Sequence, residues 1–147
     1  MDVGGYLGRE PNFEAIKALK GREIWLDIGA RRASDAIDCL ISGAEMAFLN
    51  TRNLKGFEEL KKAQDLSDSI GVTLDLDEEG KVVMGLLRCD LKSFLGRISD
   101  MEMEMAIMVH SHFPIGRLMN QAVGGAYLCG SFSDLGTGIF KGLIGEF

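Results

Sequence analysis

The sequence predicts an α/β fold in which a parallel sheet is covered by outer helices. Two observations carry that expectation. Residues 23–29 (EIWLDIG), 44–51 (AEMAFLNT) and 71–77 (GVTLDLD) each run apolar and then end in polar or small residues: Asp27 and Gly29, Asn50 and Thr51, Asp75 and Asp77. The three tips recur evenly, with 23 residues from Asp27 to Asn50 and 25 from Asn50 to Asp75. That is the period of a strand–helix unit, and βα folds place their sites at the C-terminal ends of the strands. Function is therefore expected along one rim of the sheet.

Taken in order, residues 1–8 (MDVGGYLG) read as the end of a strand and a Gly-rich loop. Asn12 is a candidate cap for a helix over 13–19, where Phe13, Ile16 and Leu19 form an apolar stripe. Residues 23–28 form a strand that is apolar on both faces, as in a doubly covered sheet. Ser34 is a candidate N-cap for a helix over 35–42, with Gly43 at its end. Residues 44–49 form a strand, 54–66 a helix with Phe57, Leu60, Ala63 and Leu66 at helical spacing, and 72–76 a strand. A turn at Glu78-Glu79-Gly80 and a β-prone run over 81–84 predict a small hairpin at the last strand tip. Beyond it the pattern predicts a helix over 91–98, a strand over 103–110, a helix over 116–123 and a final strand over 126–129. The count is about six strands, and no linker or low-complexity segment divides the chain.

A chain of 147 residues is most simply one domain. Sixteen basic against 22 acidic residues give a net charge of −6, so no general affinity for nucleic acid is expected. No stretch approaches the ~18 apolar residues of a membrane span, and the N-terminus lacks a basic-then-apolar leader. A cytoplasmic setting is expected. Cys39, Cys89 and Cys129 are odd in number and widely spaced, which predicts reduced, buried thiols. His110 and His112 lack an acidic or thiol partner at ligand spacing, so no metal site is expected. No cofactor is implied.

The candidate chemistry lies at the tips. Partial burial of a strand-terminal carboxylate raises its pKa toward working pH, which suits Asp75 to general acid–base work. Strand alternation places Asp77 on the same side, where a second negative charge would raise one of the two further. Gly29, Ala30 and Arg31 follow a strand and precede a helix, so backbone N–H groups and the helix dipole could hold a phosphate there, with Arg31 adding a charged donor. Asn50 and Thr51 occupy the equivalent place one unit later. Gly130 and Ser131 follow the last expected strand and could form a further anion-binding edge.

With these motifs in hand, DVGGYLGREPNFEAIKAL, EIWLDIGARRASDAIDCLISGAEMAFLNTRNL and VTLDLDEEGKVVMG together resemble the histidine-biosynthesis (HisA/HisF-type) family of (βα)8 barrels. The similarity is greatest to its archaeal branch related to phosphoribosylformimino-aminoimidazole carboxamide ribotide isomerase. The resemblance covers about residues 2–85, and GAYLCGSFSDLGTG is similar to the family's last strand and its phosphate-binding glycine. It implies a TIM-barrel-like sheet and an Amadori-type conversion of a ribosylamine to a ketose. Two strand-borne aspartates would act as acid and base, on a small phosphorylated sugar or ribotide. On that resemblance Asp75 corresponds to the fifth-strand aspartate, Gly29 and Thr51 to the phosphate rim near the third and fourth strands, and Gly130 to the rim near the eighth. The other aspartate would precede Met1. A complete barrel needs at least ~200 residues, so the expectation is a partial barrel, with a non-catalytic phosphate-ligand binder or an oligomer-dependent remnant as the alternative and a homo-oligomer as a possible assembly.

Overall fold

The computed structural model describes residues 13–19, 23–108, 127–129 and 142–144. The expected strand within 1–8, the Asn12 cap, the helix over 116–123, His110, His112, Gly130 and Ser131 lie outside the described residues.

Along the chain the elements are α1 (Phe13–Ala18), β1 (Trp25–Ala30), α2 (Ala33–Ile41), β2 (Met46–Asn50), α3 (Glu58–Leu66), β3 (Ile70–Asp75), β4 (Val82–Met84), β5 (Leu87–Cys89), α4 (Leu91–Ile98), β6 (Met105–Met108), β7 (Tyr127–Cys129) and β8 (Gly142–Ile144). Six strands form one sheet in the order β1-β2-β3-β6-β7-β8, and every neighbouring pair is parallel. β4 and β5 form a separate antiparallel hairpin, joined to the end of β3 by a bridge between Leu76 and Val82. The α/β class, the parallel sheet and the hairpin at the third tip all agree with the sequence reading. β8 was not expected: three residues in a Gly-rich tail are too few to show a period.

Strand alternation sorts the side chains of β1–β3 into two faces. Leu26, Ile28 and Ala30 of β1, Ala47 and Leu49 of β2, and Ile70, Val72 and Leu74 of β3 join one buried cluster. Ala33, Ala36 and Cys39 of α2, Leu60 and Ala63 of α3, and Leu91, Phe94 and Ile98 of α4 complete it. The buried residues of α2 and α3 are spaced by three and those of α4 by three and four, the stripe expected of a helix lying on a sheet. α4 starts where expected because Asp90 caps it, its carboxylate accepting the Ser93 N–H at 3.0 Å.

Two helix starts correct the sequence reading. α2 begins at Ala33 rather than Asp35, and Ser34 is not its cap. The Asp35 carboxylate reaches back to accept the Arg31 and Arg32 N–H groups at 2.9 and 3.0 Å, so it fastens the first turn from inside the helix. α3 begins at Glu58 rather than Leu54. Residues 51–54 instead fold back on Asn50, whose carbonyl accepts the N–H groups of Asn53 and Leu54.

The opposite face of the same strands carries a different layering. Nearest the N-terminal ends, Trp25 packs on Phe48 with ring centroids 5.8 Å apart. Gly71 sits beside that pair: a Cβ there would lie 2.6 Å from the Phe48 ring and 2.7 Å from the Glu104 carbonyl oxygen. Above the aromatic layer the residues turn polar.

Candidate functional site

The polar residues of this face form a connected set at the C-terminal ends of β1, β2 and β3. Asp27, Asn50, Thr51, Thr73 and Asp75 are all buried, and Asn50, Thr51 and Asp75 have no exposed surface. Burial at that level requires every polar atom to find a partner, and the partners define the site.

At the β1 tip the Asp27 carboxylate accepts the Gly29 N–H at 2.8 Å and the Asn50 side-chain amide at 3.0 Å. Thr73 donates a third bond to it. Gly29 takes φ +67°, a conformation that glycine adopts without strain, and the β1–β2 register slips between Asp27 and Ala30. Asp27 thus pins a bulge at the end of its own strand, a device that re-aims a strand end at a rim. Burial raises the Asp27 pKa above its ordinary value, and the bonds from Asn50, Gly29 and Thr73 only partly offset that.

At the β2 tip Asn50 bridges two groups. Its Nδ2 donates to Asp27, and its Oδ1 accepts the backbone N–H of Arg52 at 3.0 Å. Thr51 ties β2 to β3: its N–H donates to the Thr73 carbonyl at 2.9 Å, and its hydroxyl oxygen accepts the Asp75 N–H at 3.0 Å. Arg52, two residues beyond Asn50, lies over the neighbouring tip. Its Nε and Nη2 donate to the two oxygens of Asp75 at 2.6 and 2.8 Å. This is a bidentate fork, the strong and geometrically fixed form of the ion pair. The Asp75 end is fully buried, whereas 35% of the Arg52 side chain is exposed.

The structure thus brings the expected tips together but gives their groups other partners. Gly29, Asn50 and Thr51 do converge on adjacent strand ends. The Gly29 N–H is held by Asp27, the Arg31 and Arg32 N–H groups by Asp35, and the Ala33 N–H by Glu59 at 3.0 Å. Lys62 and the Ala33 amide in turn hold the Glu59 carboxyl below its ordinary value. The chain's own carboxylates thus occupy the amides that an anion would have used. Asp77 does not join Asp75: its carboxylate accepts the Glu79 and Lys81 N–H groups at 3.0 and 2.9 Å and pairs with Arg88 at 3.3 Å, so it organises the turn into the hairpin.

Arg52 was missed. The signal available was its position two residues beyond a strand tip, next to a strand that ends in an aspartate. Cys39 is buried and its thiol is pushed up to about 12, chiefly by desolvation, which leaves it inert as a nucleophile. An open groove of about 590 Å³ lies between the start of α2 and α3, lined by Arg32, Ser34, Glu59, Lys62 and Asp65 among others. Among the described residues no cluster of His, Cys, Asp and Glu is arranged to hold a metal, and no helix is long and apolar enough to cross a membrane.

No protein-family model and no curated protein matches this chain. The chemistry of the rim is accordingly read from its own geometry.

The raised Asp27 pKa has a measurable consequence. The folded state binds a proton there that the unfolded state has already released, between the ordinary value of 3.8 and the raised folded value. Across that window stability falls as pH rises, and the loss is complete above the folded value. Asp27→Asn is expected to lack this fall. Urea unfolding of both proteins at a series of pH values checks it, because groups common to both cancel in the difference; parallel curves would contradict the assignment.

Proposed function

We propose that the rim formed by β1, β2 and β3 binds a small phosphorylated sugar or ribotide, and that Arg52 is the residue that meets the phosphate. The observation that carries this reading is the Arg52–Asp75 fork. A fully buried carboxylate holds two guanidinium donors and fixes the plane of the group, while a third of the side chain remains exposed at the rim. A guanidinium held in advance loses little freedom when it binds an oxyanion. Arg31, exposed on the adjacent loop, can supply a second charge.

The fold supports the barrel-type relationship that the resemblance implies. The described helices pack on the apolar face of β1–β3, yet the opposite face is sealed too: Phe48 is 4% exposed, Thr73 2% and Asp75 0%. Closing a parallel sheet on itself buries such a face, with layers of inward side chains filling the interior. Gly29, Asn50 and Thr51 then serve the rim by shaping it, since their polar groups are engaged within the chain.

A second reading keeps the isomerase activity that the sequence resemblance implies. The Amadori-type reaction needs one group to protonate the ring oxygen and another to remove the C2 proton. Asp27, a rim carboxylate with a raised pKa, favours acid–base chemistry here. Asp75 can carry a proton in this scheme only by leaving Arg52.

Calorimetric titration with ribose 5-phosphate tests both. Arg52→Lys keeps a cation beside Asp75 but loses the fork, and is expected to weaken binding about tenfold, or roughly 1.4 kcal/mol. Unchanged affinity would overturn the phosphate role. Asp75→Asn releases the same fork from its other end and is expected to weaken binding by a comparable factor. If ribosylamine-to-ketose turnover is found and survives that change, the second reading loses Asp75 as its proton carrier.

A further inference from the structure

We propose that Asn50 is a positioning residue that ties the backbone of Arg52 to the charge state of Asp27. The carboxamide has one accepting and one donating end, and here each end has a single role. Nδ2 donates to Asp27 Oδ2 and Oδ1 accepts the Arg52 N–H, both at 3.0 Å. Asn50 has no exposed surface, so water cannot replace either bond.

An ionised Asp27 dictates this orientation, because both of its oxygens face donors, Gly29 N–H on one and Asn50 on the other. A proton on Oδ2 sets two donors against each other. Asn50 relieves that conflict by rotating its amide so that Oδ1 accepts from Asp27. Its NH2 then faces the Arg52 N–H, and the bond from that N–H to Oδ1 is lost, while the Asn50 carbonyl still holds the turn through Asn53 and Leu54. Charge at β1 is thereby read out at the rim of β2.

The other groups around Asp27 do not provide this link. Among the described residues, β3 contributes Thr73, a neutral donor, and Asp75, held by Arg52. From α2 the Cys39 thiol senses the Asp27 charge and stays protonated below neutral pH, and Asp35 and Asp38 act on that thiol. Asn50 is the group hydrogen-bonded to both Asp27 and Arg52. The inference deepens the rim reading and depends on it only for the ligand: failure of ribose 5-phosphate to bind would sink that reading and leave this coupling intact.

The test is a ligand-free NMR pH titration of the full chain, following the Asp27 carboxyl carbon, the Asn50 side-chain amide and the Arg52 backbone amide. In the wild type all three are expected to shift with one midpoint, the Arg52 amide proton moving upfield as pH falls and its bond is lost. In Asn50→Ala, Asp27 still titrates but Arg52 no longer follows. Should that variant fail to fold, Asp27→Asn serves instead and is expected to leave the Arg52 amide flat over the same range. An Arg52 amide that titrates unchanged in either variant overturns the proposal. So does a wild-type Asp27 carbon that does not move while the protein stays folded.

Discussion

Arg52→Met is expected to lower the unfolding free energy by about 3 kcal/mol, the lower end of the range for breaking a buried ion pair. The cost arises at Asp75. That carboxylate has no exposed surface and loses two charge-assisted bonds at once, with no route to water. Asp75→Asn removes the other half of the same pair and is expected to cost less, about 1–2 kcal/mol. The reason is the unequal burial of the two ends: Arg52 is 35% exposed and can turn toward solvent. The size order of the two effects is the informative quantity. Urea unfolding at neutral pH, with an unchanged denaturant slope as evidence that the denatured states match, measures it. Equal losses would mean that the pair is as open at Asp75 as at Arg52.

Gly71→Ala is expected to destabilise by a similar amount, about 3 kcal/mol, by overpacking rather than by loss. The added Cβ would stand 2.6 Å from Phe48 Cε1, 2.9 Å from Phe48 Cδ1 and 2.7 Å from the Glu104 carbonyl oxygen. The ring can tilt or be shortened, but the carbonyl belongs to the backbone leading into β6 and accepts the Val72 N–H at 2.8 Å. Phe48→Leu in the same chain is therefore expected to recover part of the loss and not all of it. A double-mutant cycle separates the ring contribution from the backbone one. Full recovery would show that the ring alone sets the limit, and no loss in the single variant would contradict the close approach of β2, β3 and β6.

The sequence made the strand tips legible because they obey local rules. A buried strand must be apolar, a rim must be polar, and the interval between tips is the length of a strand, a helix and two short loops. Asp27, Asn50 and Asp75 were visible on those grounds, as was α4, though not the Asp90 cap that starts it. What stayed hidden depends on which strands are neighbours. Arg52 reaches Asp75 only because β2 and β3 pair in parallel with Asn50 opposite Thr73. Nothing within residues 50–54 announces that partner. The start of α2 was misplaced for a similar reason. Ser34 has the usual chemistry of a cap, but Asp35 accepts the Arg31 and Arg32 N–H groups from within the helix, and Glu59 of α3 accepts the Ala33 N–H from 26 residues away. Those two carboxylates also change the meaning of the β1 loop. Read along the chain, it offers amides to an anion; in the fold, the anions are already the protein's own.

The central claim is that an oxyanion at this rim is met by Arg52 and not by the amides of the β1 loop. The most direct measurement is an NMR titration of the full chain with ribose 5-phosphate, comparing the Arg52 Nε–H with the backbone N–H groups of Gly29, Arg31 and Arg32. The Arg52 signal is expected to shift with ligand while the three amides, held by Asp27 and Asp35, stay in place. Shifts confined to Gly29, Arg31 and Arg32, with Arg52 unmoved, would contradict it.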